Sequence, residues 1–210
     1  MIARQSGAER VVDASETGES AGRPMRADAR RNYELIVAAA RSVFAKEGGG
    51  ASIEAIAREA GVGIGTLYRH FPKRIDLVEA VYRTDVDQVV ATAQAAASDL
   101  DPWSAVETFL AAFVGYALSK RTFLNELHEA FEKNPDLKLE SRQRLDSAMA
   151  LIIERGQRAG VVRADVNGAD VMQLVGPMCM SATLTKEQTE RLLPMILDGL
   201  RGSAKITTLH

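Results

Sequence analysis

The sequence predicts an all-α fold of about nine helices, arranged as a three-helix head and a larger helical body. Two observations lead to this prediction. Apolar residues recur at helical spacing along most of the chain, and alanine is abundant. No stretch of alternating β-branched residues is long enough to indicate a strand. Capping residues, glycines and prolines then divide the chain into helical segments.

Composition restricts the class of protein before any motif is considered. The 210 residues are 46% hydrophobic and carry a formal net charge of −2, which is typical of a globular protein with one or two domains. No apolar run approaches the roughly 20 residues of a membrane span, and the N-terminus lacks the apolar core of a signal peptide. The single cysteine, Cys179, excludes an intrachain disulfide and fits a reducing compartment. We therefore expect a cytoplasmic protein without a membrane partner, in which Cys179 is a buried thiol or, alternatively, a redox switch.

The first segments form the head. Residues 1–24 are rich in Ser, Gly, Glu and Arg and lack apolar periodicity, which predicts a disordered leader. A helix is predicted from Ala27 to Glu47, because its apolar residues form one stripe and a triple glycine follows. Four arginines at this junction form either a phosphate-binding arm or a solvated tail: Arg23, Arg26, Arg30 and Arg31.

Residues 52–71 are predicted to form two short helices joined by a glycine turn. Ser52 can cap the first helix, and Gly61 follows it where a helix usually ends in a left-handed residue. Pro72 ends the second helix. This helix-turn-helix arrangement is the one that lays a helix in the DNA major groove.

The charge distribution agrees with a nucleic-acid partner for the head. Residues 21–84 carry 11 basic and 7 acidic side chains, whereas residues 85–210 carry 13 basic and 17 acidic ones. The outward residues of the second short helix include hydroxyls and a base but almost no carboxylates. Such a surface suits a polyanion.

Six further helices are predicted to build the body. The first, from about Lys73 to Ala97, joins it to the head. Asp101-Pro102 and Asn134-Pro135 are each a capping side chain followed by proline, and they begin helices that end near Leu118 and Arg158. A shorter helix over 123–133 lies between them.

The last two helices each contain a proline. They are predicted over about 168–183, capped by Asn167, and over about 185–200, begun by a capping box at Thr185. Proline removes a helical hydrogen bond, so Pro177 and Pro194 predict bends, or a break in the earlier helix. The preceding loop, VVRADVNG, leaves room for a brief extended piece.

The motif G-x-x-x-G-T-L-Y-x-H-F-P, preceded by A-A-x-x-x-F-x-x-x-G, resembles the tetracycline-repressor (TetR) family of bacterial transcription regulators over about residues 29–83. The residues that carry the resemblance are Ile36, Ala39, Ala40, Phe44, Gly48, Ser52, Ile56, Ala57, Ala60, Gly61, Val62, Gly65, Thr66, Leu67, Tyr68, His70, Phe71, Arg74 and Leu77. It implies a repressor that binds a palindromic double-stranded DNA operator as a homodimer, with one head in each of two successive major grooves.

The resemblance also implies roles for residues of the head. Phosphate contacts would come from Ser52, Thr66, Tyr68 and Arg74, and the positions nearest base edges would be Ile64, Gly65 and Arg69. His70 would either contribute to this site or hydrogen-bond the helix end. Lys73 stands where the family usually has a polar cap, and it adds a charge for phosphate instead.

The body is predicted to bind a small-molecule effector, largely apolar in character, and to form the dimer. The candidate pocket residues are Trp103, Phe109, Phe113, Phe123, Asn125, His128, Met149, Met172, Gln173 and Met178. The candidate dimer residues are Val171, Leu174, Val175, Leu193, Ile196, Leu197 and Leu200. Each group has an alternative, because apolar side chains at helical spacing also form an ordinary core.

An enzyme is not expected, and neither is a cofactor. The three histidines, His70, His128 and His210, are too far apart in sequence to suggest a cluster, although His128 and Glu132 share a helical face and could hold a weak metal site. The predicted divisions are a leader (1–24), the DNA-binding head (25–72), the body (73–203) and a flexible tail (204–210). The alternative function is a DNA-binding dimer with a ligandless body, regulated by a protein partner or by abundance.

Overall fold

The computed structural model describes residues 22–48 and 50–202. Within these ranges the chain forms nine helices: α1 Gly22–Glu47, α2 Ile53–Ala60, α3 Ile64–His70, α4 Arg74–Asp99, α5 Pro102–Arg121, α6 Leu124–Lys133, α7 Pro135–Arg158, α8 Gly168–Met180 and α9 Lys186–Leu200. The same ranges contain no β-strand, only an isolated antiparallel bridge between Val162 and Arg201. The predicted all-α fold, with α1–α3 as the head and α4–α9 as the body, is confirmed.

Three helix ends differ from the prediction. α1 begins at Gly22 rather than Ala27, while residues 1–21 of the predicted leader and the predicted tail 204–210 lie outside the described residues. α8 continues through Pro177 to Met180, so the proline does not break it, and it ends three residues earlier than predicted. α5 extends beyond Leu118 to Arg121, whose guanidinium donates to backbone carbonyls of the α8–α9 loop and so holds the last turn of α5.

The turn between α2 and α3 forms as the sequence indicates. The Ser52 hydroxyl accepts a hydrogen bond from the Ala55 amide at 3.0 Å, which satisfies one of the free amides at the start of α2. Gly61 adopts the left-handed conformation, with φ +67°, and the next amide, that of Val62, donates back to the Ala57 carbonyl. This closure directs the chain into α3 after only three residues.

One continuous apolar core joins the head to the body. In the head, Ile36, Phe44, Ile56 and Leu67 are fully buried. α4 extends this core into the body through a series of buried side chains along its length: Leu77, Val78, Val81, Val86, Val89, Ala93 and Ala96. Each large aliphatic side chain buried in this way contributes about 1.5–3 kcal/mol. The orientation of the head is therefore fixed largely by how α1 and α4 pack.

Aromatic and charged contacts reinforce the junction between head and body. The Phe44 ring of α1 packs against the Phe123 ring, which lies at the start of α6, with centroids 5.5 Å apart. On α4, Asp85 is only 2% exposed, and its Oδ1 lies 3.0 Å from Arg41 Nε of α1. The side chain of Ser119, on α5, also interacts with Asp85. Three helices thus meet around one buried carboxylate.

The negative charge of the Asp85 carboxylate is only partly compensated by Arg41 and Ser119. Neither oxygen of Asp85 forms a hydrogen bond of normal geometry within the described residues. Burial therefore dominates and raises the pKa of Asp85 to about 6, while the Arg41 charge and the Ser119 hydroxyl lower it by less. The ionised form that prevails at neutral pH costs stability.

Asp85→Asn is expected to remove this pH-dependent cost. Because folding raises the pKa of Asp85 from 3.8 to about 6, the folded chain holds this proton more tightly than the unfolded chain does. The contribution to stability therefore falls as pH rises from about 4 to about 6, by about 3 kcal/mol in total. Urea unfolding at several pH values should show the free energy of unfolding of the wild type, minus that of Asp85→Asn, falling over this interval.

Asp87→Asn is the matched control, since Asp87 lies on the same helix, is exposed and pairs with Arg144. The difference between the wild type and Asp87→Asn should change little from pH 4 to pH 7. A flat difference for Asp85→Asn as well would contradict the stated environment of Asp85.

Candidate nucleic-acid interface and body cavity

α3 presents a mixed polar and apolar face. Leu67 is fully buried and holds the helix against the rest of the head, while Ile64 and Tyr68 are 42% and 47% exposed. Gly65 and Arg69 are also exposed, and Thr66 is half-buried. One short helix therefore exposes the aliphatic side chain of Ile64, the phenol hydroxyl of Tyr68 and the guanidinium of Arg69. Such groups can contact thymine methyls, phosphates and base edges.

Two further predicted residues flank α3 at helix starts. Ser52 is exposed, but its hydroxyl already caps α2, so a phosphate would have to share it. Lys73 is exposed and precedes α4. Its backbone amide donates to Asp76 Oδ2 at 2.9 Å, and its ammonium makes no capping bond, because an ammonium cannot accept. The charge of Lys73 thus remains available to an anion.

Arg74, one of the predicted phosphate contacts, also makes contacts within the head. It is half-buried, it donates to the backbone carbonyl of Ala51, and its guanidinium lies over the Phe44 ring, 5.4 Å from the centroid. These contacts join the start of α4 to the loop before α2 and to the head core. These contacts give Arg74 a part in packing the head, and its phosphate contact stays a prediction. Sequence position alone could not show which way this side chain turns.

His70 belongs to an aromatic group at the end of α3. Its ring packs edge-on against Tyr33 of α1, with centroids 6.4 Å apart, and Tyr33 also contacts Phe71 at 5.1 Å. His70 is half-buried and Phe71 is buried. This contact favours the packing interpretation of His70 over a direct DNA contact.

A cavity of about 340 Å³ lies in the body between α4, α5, α6, α7 and α8. It is lined by Tyr82, Phe113, Tyr116, Ala117, Lys120, Phe131, Lys138, Arg142, Leu145, Met172, Gln173, Gly176, Pro177 and Met180. Its volume is at the lower end of the range for small-molecule sites. Three other depressions are more open: one of about 700 Å³ between α1 and α4, one of about 480 Å³ beside Asn125, and one of about 300 Å³ between α4 and α7.

Three of the ten predicted pocket residues line this cavity: Phe113, Met172 and Gln173. The other seven do not. Phe109 and Met149 are fully buried core residues, and Phe123 packs against the head. Asn125 lies in the 480 Å³ depression, His128 is exposed, and Met178 is half-buried outside the lining. Trp103 donates from its indole nitrogen to Glu107 and lies beneath Arg201, 4.1 Å from its guanidinium carbon.

The sequence-based set omitted the polar lining. Lys120, Lys138 and Arg142 come from the end of α5 and the first half of α7, and Tyr82 and Tyr116 from α4 and α5. Charged residues on helix surfaces usually face water, so the helical pattern offered no reason to select them. Their convergence depends on how α5 and α7 cross.

The predicted dimer residues divide into two groups. Val171, Val175 and Leu200 are at most 5% exposed within one subunit, so these three are corrected to core positions. Leu174 is 56% exposed, and Leu193, Ile196 and Leu197 are half-buried. Sequence periodicity indicated an apolar excess on α8 and α9 but could not separate the inner from the outer stripe.

The described ranges show neither a metal-binding cluster nor a membrane-spanning helix. The described ranges contain no group of three or more His, Cys, Asp and Glu side chains placed to hold a metal ion, and His128 and Glu132 are both exposed. No helix in the same ranges is long and apolar enough to cross a membrane. Cys179 is buried, and burial raises the pKa of its thiol, so the side chain is expected to be inert.

A helix-turn-helix formed by α2 and α3, with α3 exposed, in a three-helix head joined to a helical body defines a helix-turn-helix transcription regulator. Residues 36–81 match the family model described as bacterial regulatory proteins, tetR family. Residues 101–202 match the model of the SbtR-like transcriptional regulator C-terminal domain. The chain belongs to the TetR family of transcriptional regulators, which bind DNA, typically form dimers and are not enzymes.

Individual relatives agree with this assignment. The TetR transcriptional regulator SCO0520 from Streptomyces coelicolor is 36% identical, with a TM-score of 0.74 over 82% of this chain and 99% of that one. A TetR regulatory protein from Mycobacterium vanbaalenii is 34% identical, with a TM-score of 0.68 over 85% and 99%. An HTH-type transcriptional regulator of Staphylococcus aureus is 44% identical over 64 residues, which span 30% of this chain and only 35% of that relative.

Arg74→Ala is expected to destabilise the protein. The substitution removes a charged hydrogen bond to the Ala51 carbonyl and the contact with the Phe44 ring, which together correspond to about 1–2 kcal/mol. Arg69→Ala, on the exposed face of α3, is the control and should change stability by less than about 0.5 kcal/mol. Urea unfolding measures both. An Arg74→Ala midpoint equal to that of the wild type would instead favour a solvent-facing role for Arg74.

Proposed function

We propose that this regulator is a repressor that binds a palindromic operator as a homodimer and is released from it by a small-molecule effector. The observation that carries the DNA-binding part is the exposed face of α3, where Ile64, Tyr68 and Arg69 project from a helix held by buried Leu67. The body cavity supports the effector part. The alternative function is a DNA-binding dimer with a ligandless body, regulated by a protein partner or by abundance. The experiments must distinguish this alternative from release by an effector.

The DNA contacts divide by chemistry. Tyr68 and Thr66 offer hydroxyls, and Lys73 offers an ammonium, for phosphates that set the register of the head. Arg69 is the side chain on α3 that can donate two hydrogen bonds to a guanine edge, and Ile64 can contact a thymine methyl. With so few base-reading groups, DNA shape is expected to contribute to specificity.

The dimer is proposed to form through α8 and α9. Of the 15 residues of α9, only Thr189 and Leu200 are buried within the subunit. Leu174 of α8 and Met195 of α9 are 56% and 66% exposed. Exposed apolar side chains of this size on two terminal helices favour a self-complementary interface, which a twofold axis supplies.

The effector is proposed to act on the head through residues 119–123, which we call the α5 end. Lys120 lines the cavity, and its neighbour Ser119 interacts with Asp85, the partner of Arg41 on α1. Phe123 packs on Phe44 of the head. A ligand that shifts Lys120 would therefore disturb two contacts that orient the head. Coupling of about 1–3 kcal/mol is enough for a useful switch.

Tyr68→Phe and Arg69→Ala are expected to weaken operator binding in the intact dimer. The operator is first selected from a random double-stranded DNA pool, and an inverted repeat is expected. Loss of the Arg69 contacts should cost about 1–3 kcal/mol and relax specificity at one base pair of each half-site, whereas Tyr68→Phe should weaken all sequences alike. Fluorescence anisotropy at fixed salt measures both effects.

Arg158→Ala is the matched control for charge, because Arg158 is exposed at the end of α7 and hydrogen-bonds only within its own helix. It should bind the operator as the wild type does. Unchanged affinity for both α3 variants, or selection of no sequence at all, would contradict the proposed reading surface.

Leu174→Arg is expected to dissociate the dimer, because it places a charge in the proposed apolar interface. Leu139→Arg is the control: Leu139 is similarly exposed, at 58%, but lies on α7. Light scattering after size-exclusion chromatography should give a dimer for the wild type and Leu139→Arg, and a monomer for Leu174→Arg. A dimeric Leu174→Arg variant would exclude this face.

A further inference from the structure

We infer that the body cavity binds an amphipathic organic anion, with an apolar or aromatic skeleton and one acidic group such as a carboxylate or sulfonate. This inference rests on the proposed function, in which the cavity is the effector site, and it changes the expected ligand from a largely apolar molecule to a charged one. It is carried by the polar side chains that line the cavity.

The charged lining has one sign. Lys120, Lys138 and Arg142 line the cavity, and no acidic residue does. Arg142 already has a partner, since its Nε donates to both carboxylate oxygens of Asp146 at 2.9 and 2.8 Å. Neither lysine forms an ion pair within the described part of the chain. Two ammonium groups therefore border this cavity without a carboxylate partner.

The surroundings of Lys120 compensate its charge only in part. Its ammonium lies 5.6 Å from the centroids of both the Tyr82 and Phe131 rings, and Lys138 lies 5.9 Å from that of Phe131. Burial lowers the pKa of Lys120, and the charges of Lys138 and Arg142 lower it further. The aromatic faces compensate for only part of the lost hydration. An acidic ligand group would supply the remaining compensation.

The rest of the lining suits an apolar skeleton. Phe113, Leu145, Met172 and Met180 contribute apolar surface, and the two methionines can adapt to irregular shapes. The hydroxyl of buried Tyr116 lies near Tyr82 but forms no hydrogen bond of normal geometry within the described residues. Burial raises its pKa, so this hydroxyl stays protonated and can donate to the ligand.

Other ligand classes fit less well. A neutral apolar molecule would further desolvate the half-buried Lys120 ammonium and leave it without a counter-charge. A cationic ligand would be repelled by the lysines and Arg142. The lining has too many aromatic and aliphatic side chains, and the cavity is too small, for a strongly hydrated polyanion. The lining therefore selects for one acidic group on a compact apolar body.

The test compares two probes that share an aromatic skeleton. 8-Anilinonaphthalene-1-sulfonate carries a sulfonate, and N-phenyl-1-naphthylamine is its neutral counterpart; both fluoresce on entering an apolar site. Titrations use the full chain as wild type, Lys120→Met, Lys138→Met and Lys133→Met. Methionine keeps a long apolar side chain, and Lys133 is an exposed control on α6 outside the cavity lining. Decanoate and decanol then compete for the site as a second matched pair.

The sulfonate probe is expected to bind the wild type and Lys133→Met alike, and at least about tenfold more weakly to Lys120→Met and Lys138→Met. The neutral probe should bind the four proteins similarly, which also shows that the cavity still forms. Decanoate should displace the sulfonate probe and decanol should not. Equal binding of both probes, or no effect of either lysine substitution, would overturn the inference.

A DNA-release experiment distinguishes a failure of this inference from a failure of the proposed function. Decanoate is added to the wild type and to Lys120→Met bound to the selected operator. Lysine-dependent release of DNA supports both proposals. Lysine-dependent probe binding without release supports the ligand class and contradicts effector-controlled release. Release of DNA by decanol as readily as by decanoate contradicts the ligand class alone.

Discussion

The packing of α4 against α1 and α5 is the constraint on which the rest of the structure depends. α4 contributes buried side chains to the head and to the body, so neither core is complete without it. Asp85 lies where the three helices meet, and its partner Arg41 comes from α1. Separating α1 from α4 would break the Arg41–Asp85 pair and expose the apolar side chains that are buried between the two helices, which is strongly unfavourable. The head can therefore move only as far as this contact allows.

The α5 end connects this constraint to the two candidate sites. Within five residues it provides an interaction with Asp85, a cation at the cavity and an aromatic contact to the head. It is held from the other side by Arg121, which donates to the carbonyls of Ser181 and Leu184 between α8 and α9. Because α8 and α9 are the proposed dimer helices, this one short segment contacts the proposed effector cavity, the loop between the proposed dimer helices, and the head.

Basic side chains serve different purposes in the two parts of the chain. On the head, Arg69 and Lys73 are exposed, which suits the proposed contacts of Arg69 with a base edge and of Lys73 with a phosphate. In the body, Lys120 is half-buried against the Tyr82 and Phe131 rings, where a charge is more sensitive to a single partner. Arg74 additionally packs within the head, against the Ala51 carbonyl and the Phe44 ring. The net charge of the chain conceals these differences.

The sequence by itself determined the helices and the turn of the head. Ser52, Gly61 and Pro72 act within a few residues of themselves, so capping and backbone rules were sufficient to place α2 and α3. Leu67 and Tyr68 could likewise be assigned to the inner and outer faces of α3, because a helix repeats every 3.6 residues. The sequence predicted less accurately the positions of helix ends that depend on distant residues, such as the end of α5, which Arg121 holds to the α8–α9 loop.

Only the tertiary structure decided which side chains meet. Val171 and Leu174 share an apolar pattern, yet one is buried and the other exposed, because α8 packs on its own subunit through a single stripe. Lys120 and Lys138 are 18 positions apart and share a cavity through the crossing of α5 and α7. Local propensity fixes the backbone of a helix, but contacts between helices depend on how the helices pack, and periodicity carries no information about that.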